Sequence, residues 1–324
     1  VEKRSTIKDV AKEAGYSISV VSYVLNNTEG ISISEETRAK IFQAAKKLNY
    51  VPNRVASGLR RSIIRNIGVV CYWPFDNFVA NEFLSGIISA ASDNSFRIVI
   101  CDTAAKNTKY SYLDNYRDNT IDGVIFIPPY AQYGAFDERE HIDVLLKEKI
   151  PFVVLNGRKE YPDVTSVNLN YADASKAAVD YYVKNGYEEI VYVVDEIYGR
   201  AMQTRLKGYQ DAMVLHGLRP DICLFSEAVE ELDTFHAVIA DFSATAQKIL
   251  KETYKRNIPV PATFRLIAGN TETYNEVFVP AISSVMLPAK EIAEQATEKL
   301  IGKIMHSKEN EYPINGCQVI IRET

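Results

Sequence analysis

The chain has 324 residues with 37 Lys and Arg against 42 Asp and Glu, four His and four Cys. No apolar stretch approaches the ~18 residues of a membrane span, no signal-peptide core is expected at the start, and no C-x-x-C occurs, which argues against a membrane protein and a zinc or disulfide scaffold and makes the cytoplasm the expected compartment. The charge is uneven: residues 1–65 hold 12 basic and 6 acidic side chains, a net of +6, and the remainder carries −11 within a whole-chain −5.

The basic segment reads as a small helical head. Thr6-Ile7-Lys8-Asp9-Val10-Ala11-Lys12-Glu13-Ala14-Gly15 has a cap at Thr6, an acidic residue three positions on, and a glycine stop. Ile7, Val10, Ala11 and Ala14 share one face. Ser17 caps a second helix from Ile18 to about Asn26. At roughly 100° per residue, Val20, Val21, Val24 and Leu25 fall on one side of it. Ser19, Ser22, Tyr23 and Asn26 fall on the other, with Ile18 on the border. Two short helices joined by a Gly-containing turn, the second exposing small polar and aromatic groups, make a helix-turn-helix.

A third helix starts at Ser34, with Glu35 and Glu36 at its positive end and Lys46 and Lys47 at its negative end. Ile41, Ala44, Ala45 and Leu48 form its buried stripe. Beyond it, Pro52 suits a helix start, whereas Gly58 costs about 1 kcal/mol of helix propensity. The segment 52–59 is expected to be a hinge, weakly ordered alone and helical when held. A basic head on an acidic body is what a phosphate-binding reader joined to a sensor or partner domain looks like.

From about Ile67 short apolar runs alternate with amphipathic stretches. The predicted strands are Ile67–Tyr72, Arg97–Cys101, Gly123–Ile127, Phe152–Leu155, Ile190–Val194, Ala237–Ala240 and Arg265–Ala268. Helical patterns cover Phe78–Ser92, Ala172–Asn185 and Arg200–His216. This alternation predicts parallel sheets with helices on both faces, and a body of ~260 residues predicts two lobes.

The string Thr6-Ile7-x-Asp9-Val10-Ala11-x-x-Ala14-Gly15-x-Ser17-x-x-x-Val21-Ser22-x-Val24-Leu25-Asn26, followed by Tyr50-x-Pro52-Asn53-x-x-Ala56-x-x-Leu59, resembles the LacI/GalR family of bacterial transcriptional repressors. The resemblance implies a lambda-repressor-like head over 1–61, with the hinge helix at 52–59. It implies a periplasmic-binding-protein-like body of type I over 62–324. In that body lobe 1 takes about 66–169 and 285–308, and lobe 2 about 170–284 and 309–324. The chain would cross near Asn170, Ser284 and Glu309, with a helix Ala289–His306 returning to lobe 1 and a late strand Cys317–Ile321. Carried over by position, Ser17, Ser22, Asn26 and Asn53 would meet phosphates, and Ile18, Ser19 and Tyr23 would face base edges. Ala56 and Leu59 would enter the minor groove, and Thr6 and Arg54 complete the DNA-facing set. Tyr23 stands where many members carry Arg, so the bidentate Arg–guanine contact is unavailable there.

The implied effector cleft is altered. Only about eleven residues separate the expected strand Ile222–Phe225 from Ala237, room for a turn or two where a helix is usual. The usual Asn-Asp reads Ala240-Asp241, and a ligand-holding Asp aligns with Asn270. Arg205 matches the family's effector-contacting Arg, or is a helix-surface Arg paired with a carboxylate. Asn270 is a ligand contact or a turn residue. Trp73 and Phe75 would stack on a sugar ring or pack as a loop anchor. Asn156 and Arg158 lie where open α/β sheets bind ligands, or form an exposed turn.

No phosphate-binding loop, nucleophile elbow, dinucleotide fingerprint or His/Cys metal spacing appears, and nothing calls for a cofactor. Cys71 and Cys101 read as small core residues. The expected function is therefore not enzymatic. The sequence points to an operator-binding dimeric regulator, expected to repress, with double-stranded DNA and a sugar-like effector as partners. The alternative is a solute-binding sensor whose head contacts protein.

Overall fold

The computed structural model describes residues 5–25, 33–48, 63–74, 77–103, 110–129, 136–157, 161–195, 199–307 and 314–324. They belong to two compact units, Val1–Ile64 and Arg65–Thr324.

In the first unit the helices are α1 (Ile7–Ala14), α2 (Ile18–Leu25) and α3 (Glu35–Lys47). Their starts are fixed by short-range polar bonds. Thr6 gives both its N–H and its hydroxyl proton to the Asp9 carboxylate, at 2.8 and 2.7 Å. Val20 N–H donates to Ser17 Oγ and Thr37 N–H to Ser34 Oγ, each at 3.3 Å. Gly15 ends α1 at φ 74°, a left-handed conformation that an L side chain resists. Val10, Ala11, Val21, Val24, Ile41, Ala44 and Ala45 form the buried core. Burial of each larger aliphatic contributes about 1.5–3 kcal/mol. Ser5 Oγ donates to Leu48 O at 2.8 Å, tying the start of the unit to the end of α3.

The second unit holds two sheets. The first contains β1 (Asn66–Cys71), β2 (Arg97–Ile100), β3 (Gly123–Ile127), β4 (Phe152–Leu155) and β5 (Ser166–Val167), in the order β2-β1-β3-β4-β5 and all parallel. The second contains β6 (Ile190–Val194), β7 (Asp221–Leu224), β8 (Ala237–Ala240), β9 (Arg265–Ala268), β10 (Ser283–Met286) and β11 (Gln318–Ile320), in the order β11-β10-β9-β8-β6-β7. Only β10 and β11 are antiparallel. Helices α4 (Phe78–Asp93), α5 (Ser111–Arg117) and α6 (Glu138–Lys147) link strands of the first sheet. Helices α7 (Tyr171–Lys184), α8 (Gly199–Leu215), α9 (Phe225–Ala228) and α10 (Ser243–Arg256) accompany the second. The last helix, α11 (Ala289–Met305), packs on α4, β3 and β4, so it belongs to the first lobe.

The chain enters the second lobe at Asn170, whose side chain caps α7 by accepting from Ala172 N–H at 3.2 Å. Its return follows β10. Ser283 and Ser284 are in register with Ile267 and Ala268 of β9, and β10 runs to Met286 within the second sheet. The chain therefore leaves the second sheet after Met286, close to Ser284. The ladder to β9, together with bonds from Ser283 to Thr324, holds the serines in lobe 2. The third passage, near Glu309, lies outside the described residues.

Two glycines set helix spacing. A Cβ on Gly86 of α4 would sit 2.2 Å from Lys290 O of α11, and one on Gly208 of α8 would sit 2.4 Å from Ala172 O of α7. Between β7 and β8 only the four-residue α9 and a 3₁₀ turn, Val229–Glu231, fit. That short connection still supplies Ala228, Leu232 and Phe235 to the lobe-2 core.

Candidate nucleic-acid interface and interlobe site

On α2 the periodicity that buries Val21 and Val24 turns the opposite side outward. Ile18 and Tyr23 are each 39% exposed, Ser17 and Ser19 are exposed, and Ser22 is half-buried. The strip offers hydroxyls that donate and accept, plus one branched aliphatic, and no formal charge. Charge comes from the neighbouring helix: Lys8 and Lys12 of α1 are exposed and make no ion pair among the described residues. Lys40 and Lys47 are instead paired with Glu36 at 2.9 Å and Glu13 at 2.6 Å. The Lys40–Glu36 hydrogen bond holds the lysine above, and the glutamate below, its ordinary value.

Two hydroxyls in this region have restricted roles. Ser17 Oγ accepts from Val20 N–H. Thr6 has committed its hydroxyl proton to Asp9, which removes it as a donor to a phosphate. Asn26, Asn53, Arg54, Ala56, Leu59 and the hinge 52–59 lie outside the described residues.

The second cluster forms where the C-terminal ends of β4, β8 and β9 meet the start of α7 and the face of α8. Gly208 lets α8 approach the α7 backbone, and Arg205, one turn earlier, is thereby laid over Tyr171. The Arg205 Cζ lies 4.9 Å from the Tyr171 ring centroid and 5.1 Å from that of Phe242. Its Nη1 donates to Gly269 O at 2.6 Å. A Cβ at Gly269 would lie 2.5 Å from Asp241 O and 3.1 Å from that Nη1, so the carbonyl is reachable because the residue is glycine. Arg205 is only 1% exposed, and its Nε has no hydrogen-bond partner among the described residues. Arg205 is thus enclosed by protein rather than lying on a helix surface.

The charges nearby follow from burial. Desolvation raises the Asp241 carboxyl, opposed by hydrogen bonds from Thr245 and from the Asp195 and Phe242 N–H groups, and by Arg205. Desolvation also raises the Tyr171 and Tyr192 phenols, with Arg205 pulling both the other way. The Cys317 thiol, near Asp173 and Arg205, is pushed up to about 11, mainly by burial.

The remaining candidates separate. Asn156, at φ 58°, donates its Nδ2 to Tyr171 Oη at 3.0 Å and joins the cluster. Asn270 is 5% exposed and committed to structure. Its Oδ1 accepts from Ser243 N–H at 2.8 Å, and its Nδ2 donates to Glu272 at 2.9 Å. The amide that stands in for a ligand-holding Asp is therefore a cap for α10. Trp73 does not stand ready to stack on a ligand. It is 5% exposed, its indole N–H donates to Pro128 O at 2.6 Å, and its ring meets Phe83 edge-on within lobe 1. Phe75 and Arg158 lie outside the described residues. Sequence reasoning missed Tyr171 and Phe242. Their signals were modest: an aromatic directly after the crossing cap Asn170, and one directly after Ala240-Asp241.

Comparison with known proteins places both parts. Residues 6–53 match the model of bacterial regulatory proteins, lacI family, and residues 179–324 match a periplasmic binding protein-like domain. The HTH-type transcriptional repressor PurR of Vibrio campbellii is 25% identical over 341 aligned residues, covering 99% of this chain and 98% of that protein. The chain belongs to the lacI family of bacterial regulatory proteins.

This lacI-family chain is accordingly a DNA-binding transcriptional regulator and not an enzyme. Its fold is that of the lac repressor dimer solved with operator and the anti-inducer ONPF, at TM-score 0.76, 18% identity and 99% coverage of both chains. It is likewise that of the transcriptional regulator CelR in complex with cellobiose, at TM-score 0.60, 20% identity and 99% coverage of both. Among the described residues of this lacI-family member, no helix is long and apolar enough to cross a membrane.

Proposed function

We propose that this regulator binds a pseudo-palindromic operator as a homodimer and represses from it, in the cytoplasm and at the nucleoid. We further propose that its affinity changes when a small molecule of sugar type engages Arg205. The observation that carries the DNA half is the outward strip Ile18, Ser19, Ser22 and Tyr23 on a packed three-helix head. One such reader spans only a half-site, and a two-fold partner supplies the other. Apolar groups on the body support pairing: Ile100 on the edge strand β2 is 48% exposed and Ile88 on α4 is 51% exposed. The ligand half is supported by the Arg205 Nε, a buried donor with no partner among the described residues, a lack that costs about 1–3 kcal/mol and that a ligand oxygen would satisfy. The cellobiose of the CelR complex makes sugars the first class to try.

The test is repeated selection of bound duplexes from fragmented genomic DNA, run in parallel with a Tyr23→Ala variant. The parent should enrich one inverted-repeat motif, and the variant, with its head folded, should lose or change it. Enrichment of no motif by the parent would sink the operator reading. A thermal-shift screen of sugars, sugar phosphates and nucleobases tests the ligand half, since a ligand at 100 times its Kd adds about 2.7 kcal/mol.

A further inference from the structure

Tyr171 touches both lobes at once. Its hydroxyl is the acceptor for Asn156 Nδ2, at the end of β4 in lobe 1. Its ring lies under the guanidinium of Arg205, on α8 in lobe 2. The segment leading to it is tied down on the lobe-1 side: Asn156 N–H donates to Val167 O at 2.9 Å, and Gly157 N–H to Asn168 Oδ1 at 2.8 Å. The stretch between this tie and the α7 cap Asn170 is thus Leu169 alone. Whatever fixes Tyr171 therefore fixes the angle at which the crossing leaves lobe 1.

We propose that Tyr171 is a positioning residue that latches the two lobes and reports the state of Arg205 to lobe 1, and through it to operator affinity. The inference rests on reading Arg205 as the ligand-sensing residue. Without ligand, the buried cation attracts the Tyr171 ring and the ring's hydroxyl holds Asn156. A ligand oxygen that draws the guanidinium away weakens the hold on the ring, and the bond to Asn156 loosens with it. Gly208 and Gly269 serve the latch indirectly, by admitting α8 and the Gly269 carbonyl close enough to place Arg205.

The experiment uses the full chain. Tyr171→Phe keeps the ring beneath Arg205 and removes the hydroxyl. Asn156→Gly removes the amide and tolerates the left-handed backbone. Each should speed amide exchange over residues 169–172 by about three- to tenfold, the equivalent of one net hydrogen bond, with β3 amides unchanged. The double variant should be no faster than either single one, because both remove the same bond. Operator affinity on the enriched duplex should shift in the same order, and Tyr171→Leu, which also removes the ring, should shift it most. Exchange within twofold of the parent, or additive single effects, would overturn the latch. Faster exchange with unchanged operator affinity would overturn its coupling to DNA. A parent that enriches no duplex would defeat the operator reading instead, while the exchange data still score the latch.

Discussion

Arg205 and Asp241 each have neighbours that predict a measurable cost of change. Truncating Arg205 to Ala leaves a gap between Tyr171 and Phe242 and strips Gly269 O of its donor. We expect a loss of about 2–4 kcal/mol, seen as a lower urea midpoint at unchanged m. An unchanged midpoint would mean that the guanidinium is not enclosed in solution. Asp241 gives a signed pH dependence. Its folded carboxyl is raised by burial, so its contribution is present below the unfolded value, about 3.9, and is lost as pH rises through the folded value. The stability penalty of Asp241→Asn should therefore shrink as pH rises above the unfolded value of about 4 in urea titrations. A penalty that grows over that range reverses the sign. Trp73 shows why side-chain roles were only partly legible. An aromatic just after a strand has the same sequence signature whether it faces a cleft or turns down onto Phe83 and Pro128. Arg205 was found through its motif, but its partners come from α7, β8 and β9, which no local pattern brings together.

At the level of elements, the buried strands Gly123–Ile127, Phe152–Leu155, Ile190–Val194, Ala237–Ala240 and Arg265–Ala268 were readable to the residue. Each is a short apolar run between turn-forming segments, so local sequence alone bounds it. β5, only two residues long, carries no periodic signal, and the end of β10 depends on its ladder to β9. The limit on α9 followed from spacing, because eleven residues cannot carry a full crossover helix. Helix packing yields its own test. Gly86→Ala and Gly208→Ala each push a methyl into a facing carbonyl, at 2.2 and 2.4 Å. Each should destabilise by about 1–3 kcal/mol despite the gain in helix propensity, and a more stable variant would contradict the close approach. On α2 the two faces should part company. Val21→Ala removes fully buried volume and should lower the melting temperature of the head, whereas Tyr23→Ala should leave it within a degree or two while changing the selected DNA sequence.

For the whole molecule, the division of charge is the governing feature. The net +6 of residues 1–65 sits on a body of net −11, so attraction to DNA resides in the head and the body repels it. Lys3, Arg4, Lys8, Lys12, Arg54, Arg60 and Arg61 lie in or near that head. If a dimer neutralises about 6–10 phosphates, affinity should fall ~10³–10⁵-fold between about 50 and 200 mM salt. A flat dependence would mean that these cations do not meet DNA. The central claim is that two such heads read an inverted pair of half-sites, and hydroxyl-radical footprinting of an enriched genomic fragment tests it most directly. The account predicts protection with two-fold symmetry, in two half-sites about one helical turn apart or a multiple of it. A single asymmetric patch of a few base pairs, unchanged as protein concentration rises, would contradict it.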